Sequence, residues 1–325
     1  MKYLHLTLIA FLVITLSNCD KNNIPEGIDF KQEMRVFVQD LSQYSKNIDA
    51  DFIVIPQNGE QLASETGEPG GSPAATYLNA IDGQGREDLF YGYNNDDQAT
   101  SNDDIDYMKA FLEIEENNGV EVMVTDYCFT HSKMDESYTQ NNALDMISFA
   151  ASERNLNVIP DYPQEEYNLN ADDINTLADA KNFLYLINPE NYSTKQAFIN
   201  AVSQTNYDLV LIDYFFNDEE FTISEITSLK TKLNGGKRLV ISYMSIGEAE
   251  DYRYYWQSDW KRNEPEWLDK ENPNWKGNYK VWYWHADWQA IIFGNDSSYL
   301  KKILDAGFDG VYLDIIDAFE YYDEK

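Results

Sequence analysis

The sequence predicts an α/β fold of the (β/α)8 TIM-barrel class, and three observations carry the prediction. Eight short runs rich in apolar and β-branched residues recur along the chain; amphipathic stretches separate most of them; and the runs are apolar throughout rather than alternating. Strands buried on both faces read this way, and an all-parallel sheet covered by helices buries them. An open, doubly wound sheet is the competing layout, but no GxGxxG follows a strand, and the GQGRED at 83–88 fails that pattern.

The strand runs span residues 51–58, 78–82 leading into GQGRED, 120–127, 156–162, 182–187, 209–214, 238–245 and 310–315. Helical periodicity is clear over 30–47, where Met34, Phe37, Val38, Leu41 and Tyr44 recur at three- and four-residue spacing. Further helices are expected at 105–117, 141–154, 172–180, 195–203, 224–233 and 298–306, the last closed by Gly307.

The N-terminus reads as a leader. Lys2 precedes an apolar stretch over 4–16 that is short for a membrane span, and Leu16-Ser17-Asn18-Cys19 resembles a bacterial lipobox. The expected organisation is a signal peptide (1–18), a lipidated Cys19 with a polar tether (19–27) and one barrel domain (28–325), at the cell envelope, as a monomer. A tether of about eight residues reaches roughly 25–28 Å. Cys128 is then the one thiol left in the barrel, so no disulfide is expected within it.

Composition excludes some partners. Asp and Glu number 57 against 24 Lys and Arg, a net charge of −33, so there is no basic surface to displace phosphate counterions and nucleic acid is not expected. With 43% hydrophobic and 14% aromatic residues the chain nevertheless has the apolar material for a core. His131 and His285 lack zinc-ligand partners, no GxSxG elbow is present, and the Asp-rich stretch 94–106 lacks the glycine and terminal glutamate of a calcium loop. No metal or cofactor is expected.

Carboxylates remain. Glu87 with Asp88, Asp126, Asp161, Asp213, Glu248 and Asp314, together with Asn58, close the apolar runs or lie just beyond them. In a barrel such ends converge on the face that holds the active site. Paired carboxyls are the equipment of glycoside hydrolysis, where one protonates the leaving oxygen and the other attacks or activates water. All seven tryptophans fall between 256 and 288, and part of that segment is expected to flank the mouth of the site.

Four motifs resemble those of one family. YMSIGEAEDYR (243–253), GFDGVYLDIIDAFE (307–320), IPQNGE (55–60) and GQGREDLFYG (83–92) are similar to those of the endo-α-1,4-polygalactosaminidase-like hydrolases, glycoside hydrolase family 114. The resemblance implies a galactosamine-containing polysaccharide as substrate. It also implies Asp314 and Glu87 as the catalytic pair, with Asp314 as nucleophile or charge stabiliser and Glu87 as acid/base. Asp88 and Glu60 stand as alternatives to Glu87. Asp213, Glu248, Asp126 and Asp317 are implied in substrate binding, with Tyr243, Arg253 and Asn58 positioning it. The family places PQNGE and GREDLFYG last, whereas here they come first, so the resemblance implies a circular permutant with both ends near the catalytic face. The alternative function is a non-catalytic, glycan-binding lipoprotein.

Overall fold

The computed structural model describes residues 24–325; the leader and Cys19 lie outside the described residues. The chain enters through helix α1 (Phe30–Ile48), capped by Asp29, whose carboxylate accepts from the Gln32 amide at 3.0 Å. Met34, Phe37, Val38 and Leu41 lie on its buried side, as their spacing requires.

Eight parallel strands follow, interspersed with helices: β1 (Ile53–Pro56), β2 (Gly83–Glu87), β3 (Glu121–Tyr127), β4 (Ile147–Ala151), β5 (Phe183–Leu186), β6 (Leu209–Asp213), β7 (Leu239–Ser245) and β8 (Gly310–Asp314). One sheet runs β1-β8-β7-β6-β5 and a second runs β2-β3-β4. Isolated parallel bridges, Gln57 to Gly85 and Ser148 to Asn182, join the two sheets at both seams. This is an α/β architecture of parallel sheets, with the C-terminal ends of the strands gathered on one side.

Two expected strands are displaced. Residues 156–162 form no strand: Pro160 and Pro163 interrupt a loop there, because proline donates no ladder hydrogen bond, and Asp161 is exposed. The strand is β4 instead, inside the stretch expected to be helical over 141–154. Its five residues are all buried, and a short continuous apolar run has no period to separate strand from helix. The helix ends earlier, at His131–Asn142. Likewise 78–82 is not a strand; the strand is the glycine-rich GQGRE itself. Tyr312 explains the glycine, since a Cβ on Gly85 would lie 2.0 Å from the Tyr312 hydroxyl. The helix expected at 172–180 is only a 3-10 turn at Leu177–Asp179.

Between β7 and β8 a three-stranded antiparallel sheet (Glu248–Glu250, Leu268–Glu271, Asn278–Val281) stands beside the strand ends. Trp256, Trp260, Trp267 and Trp288 form a chain of ring contacts at 5.0–5.1 Å beneath it. Most of the tryptophan cluster is therefore core. The described N-terminal segment meets the C-terminus: Lys31 pairs with Asp323, and Tyr283 donates to the Phe30 carbonyl at 2.8 Å. Among the described residues, no helix is long and apolar enough to cross a membrane.

Candidate active site

A cavity of about 550 Å³ opens at the C-terminal ends of the strands. Side chains on a strand alternate between faces, so a residue near a strand end can look inward. Seven of the eight strands supply one: Gln57 after β1, Glu87 on β2, Tyr127 on β3, Tyr185 on β5, Asp213 on β6, Tyr243 on β7 and Asp314 on β8, all lining the cavity. Asn58 and Asp317 join them from the loops after β1 and β8.

Asp314 accepts from the Tyr243 hydroxyl at 2.6 Å and from the Ile315 amide at 2.8 Å. Burial pushes its carboxyl up to about 7; the Tyr243 hydrogen bond opposes that shift, and the charge of Glu87 adds to it. Glu87 accepts from Asn58 Nδ2 at 3.0 Å and from the Tyr127 hydroxyl, while Asn58 Oδ1 accepts from the Glu87 amide at 3.2 Å. Asn58 is thus keyed to Glu87 through both ends of its amide, from a left-handed backbone (φ 56°). Asp317 is also pushed up to about 7, first by burial and then by Glu320, Glu87 and Glu60.

Arg253 supplies the fork on the opposite wall. Its guanidinium donates to both Asp213 oxygens at 3.0 and 2.7 Å, and to Glu250 at 2.6 and 3.3 Å. Burial raises the Asp213 pKa, and Arg253 works against that rise. Five carboxyls line the cavity (Glu87, Asp213, Glu250, Asp314, Asp317) against the cations Arg154, Arg253 and Lys276.

Two of the expected substrate contacts lie elsewhere. Asp126 precedes the inward-facing Tyr127 and so faces the helices, fully buried. It accepts from the Phe90 and Tyr91 amides at 2.8 and 3.1 Å, from Ser137 at 2.6 Å and from Asn141 at 3.1 Å. Its role is to tie the loop after β2 to the helix behind it. Glu248, the first residue of its strand in the antiparallel sheet, is buried and accepts from Asn272 at 2.8 Å and Lys280 at 3.4 Å; Glu250, two residues on, reaches the cavity. The alternatives to Glu87 also point away from the cavity. Glu60 is paired with Arg86 at 3.0 Å, and Asp88 is held by Arg154 at 2.8 Å.

Arg154 had no signal in the sequence. It bridges Asp88 and Asp96, lies over the Tyr127 ring at 3.8 Å and thereby backs a residue that holds Glu87. Within the Asp-rich stretch, Asp97 accepts from the Phe129 and Thr130 amides and pairs with Lys133; these bonds hold its carboxyl well below the usual range against burial. His131 stacks on Tyr162 at 3.8 Å and is exposed. Cys128 is buried, which pushes its thiol up, away from nucleophilic use. Among the described residues there is no group of three or more His, Cys, Asp or Glu side chains placed to hold a metal ion.

Paired carboxyls in a cleft at the ends of parallel strands are the apparatus of a glycoside hydrolase. Residues 169–325 match the family model described as glycoside-hydrolase family GH114. It is 47% identical over 137 residues to an uncharacterized protein of Methanocaldococcus jannaschii, covering 41% of this chain and 37% of that protein. An uncharacterized protein of Thermotoga maritima is 39% identical over 134 residues, covering 41% of this chain and 40% of the other. One from Deinococcus radiodurans is 40% identical over 130 residues, covering 40% of each. The chain thus spans about two fifths of the length of the relatives that it matches. A crystal structure of Aspergillus fumigatus Ega3 in complex with galactosamine aligns at 28% identity and a TM-score of 0.27. It covers 35% of this chain and 39% of that one, too low a score to bear on the fold.

Proposed function

We propose that this chain hydrolyses glycosidic bonds in a galactosamine-containing, cationic polysaccharide, with Asp314 and Glu87 as its paired carboxyls. The carrying observation is that two carboxyls, from the strands flanking β1, face one cavity, each steadied by its own hydrogen-bond donors. The motif resemblance supports the sugar, and so does the excess of carboxyls over cations in the cavity, which attracts an ammonium-bearing chain.

The raised pKa of Asp314 bears on the roles. As nucleophile or charge stabiliser, Asp314 must be ionised, yet near pH 7 about half of the unliganded molecules hold its proton. An ammonium group bound beside it lowers its pKa and ionises it, leaving Glu87 to protonate the leaving oxygen. In this reading kcat/KM rises with pH through about 7, and the acid limb of kcat on a galactosamine polymer lies lower. Reducing ends released by wild type and by Glu87→Gln provide the test. The variant is expected to lose at least about 100-fold, the lower end of the usual acid–base contribution; full activity in it, or acid limbs that coincide, would sink the assignment.

The same reading takes the eight strands as a complete (β/α)8 barrel, permuted relative to the family. The bridges at both seams support this, as do the adjoining ends and a family match confined to 169–325, just ahead of β5. A chain re-ordered as 169–325 followed by 28–168 is expected to fold and keep its activity. An unfolded product by circular dichroism and thermal melting would count against permutation.

A further inference from the structure

The seven tryptophans divide sharply by environment. Trp256, Trp260, Trp267, Trp282, Trp284 and Trp288 each make at least one ring–ring contact, whereas Trp275 makes none and is 56% exposed. A single exposed aromatic on a convex surface needs no explanation. Trp275, however, lines the cavity, and so does Tyr252, itself 54% exposed.

Both are held on rigid supports. Trp275 sits in the turn joining Leu268–Glu271 to Asn278–Val281, where the Asn272 amide donates to the Asn278 carbonyl at 2.7 Å and the Asn278 amide to the Trp275 carbonyl at 3.1 Å. The Gly277 amide donates to Glu271 at 2.8 Å, and the Asn272 side chain to the buried Glu248 at 2.8 Å. Tyr252 is fixed by its hydroxyl, which donates to Glu250 at 2.6 Å, with Asn278 Oδ1 at 3.3 Å as the weaker, alternative acceptor. Two large aromatic surfaces are therefore presented to the cavity mouth at little further cost in ordering. Aromatic faces take the C–H face of a pyranose, and they also attract an ammonium group.

We propose that Trp275 and Tyr252 form an outer sugar-stacking subsite, which binds a ring of the glycan remote from the bond being cleaved. This rests on the glycan-hydrolase reading above and adds a positioning element to it. Glu248, although outside the cavity, acts through Asn272 to hold the turn that carries Trp275.

The test uses galactosamine oligosaccharides of increasing length and the exposed Trp275 as its own reporter. Trp275→Ala is expected to raise KM roughly 10-fold on oligosaccharides long enough to reach the rim, as one good stacking contact would. The kcat should stay within about twofold, short activated galactosaminides should be unaffected, and Trp275→Phe should restore most of the loss. In the non-cleaving Asp314→Asn protein, a long oligosaccharide should shield part of the tryptophan emission from acrylamide, and Trp275→Ala should abolish that shielding. Cleavage of long oligosaccharides by Trp275→Ala with unchanged KM would overturn the subsite and leave the hydrolase reading intact. Shielding that depends on Trp275 in a wild-type protein that cleaves nothing would uphold the subsite and overturn hydrolysis.

Discussion

Asp314→Asn is expected to lose hydrolysis by at least about 1,000-fold and, at pH 8, to melt several degrees above the wild type. The first effect follows if Asp314 is one of the two reacting carboxyls. The second follows from burial. Its folded-state pKa of about 7 lies above the ordinary value of 3.8, so between those pH values the native state binds more protons than the unfolded state. Stability therefore falls as pH rises through that window, and above it the full cost of burying the charge is present, on the order of 2–4 kcal/mol. Asparagine removes the charge and the cost. Near pH 4 the two proteins should melt together, because the wild-type carboxyl is then protonated in the fold. A wild-type protein that melts at or above the variant at pH 8 would contradict that cost of burial. Such a gain on removing a reactive group is the usual signature of a site strained for function.

Arg253→Met is the variant expected to unfold most readily. The guanidinium is 5% exposed and is shared between Asp213 and Glu250, whose side chains are 12% and 2% exposed. Methionine fills similar space but leaves two carboxylates buried without a counter-charge, at a cost of about 3–5 kcal/mol. In a chain of this size that is on the order of 10 °C in melting temperature. Unlike that of a lost hydrophobic contact, this deficit depends on pH. Freed carboxylates take up protons as the solution becomes acidic, so the deficit should be largest near pH 8 and shrink towards pH 5. Arg253→Lys keeps the charge but not the fork and should fall between the two. Thermal melts across pH check all three; a deficit that is constant with pH would show that packing, not charge, is what Arg253 provides.

Much of the architecture was legible where period or apolar content was strong. The amphipathic α1 and the apolar β5, β6, β7 and β8 lie within a residue or two of their expected bounds. Failures came where two structures share one pattern. β4 is buried on both faces and carries no period, and β2 looks like a turn because Gly83 and Gly85 make room for neighbours, Gly85 for Tyr312. In the site, strand ends were legible but facing was only half so. Asp314, Asp213 and Glu87 face the cavity, whereas Asp126 is one residue out of phase and Tyr127 takes its place. A strict two-residue count from the buried Met123 would have found Tyr127. Nothing local marks Arg154, which acts through Tyr127 and Asp88 across 27 and 66 residues of chain.

The adjoining ends of the described chain have a consequence for inheritance. Asp314, Asp213, Tyr243 and Arg253 lie in the segment that matches the family, while Glu87, Asn58 and Tyr127 lie in the other half. A gene fragment carrying either half would encode one carboxyl of the proposed pair and part of the cavity lining. Selection for the site thus acts on both halves jointly, however far apart the codons lie. A linear comparison that aligns only one half sees Asp314, Asp213, Tyr243 and Arg253 and misses Glu87, Asn58 and Tyr127, which line the same cavity.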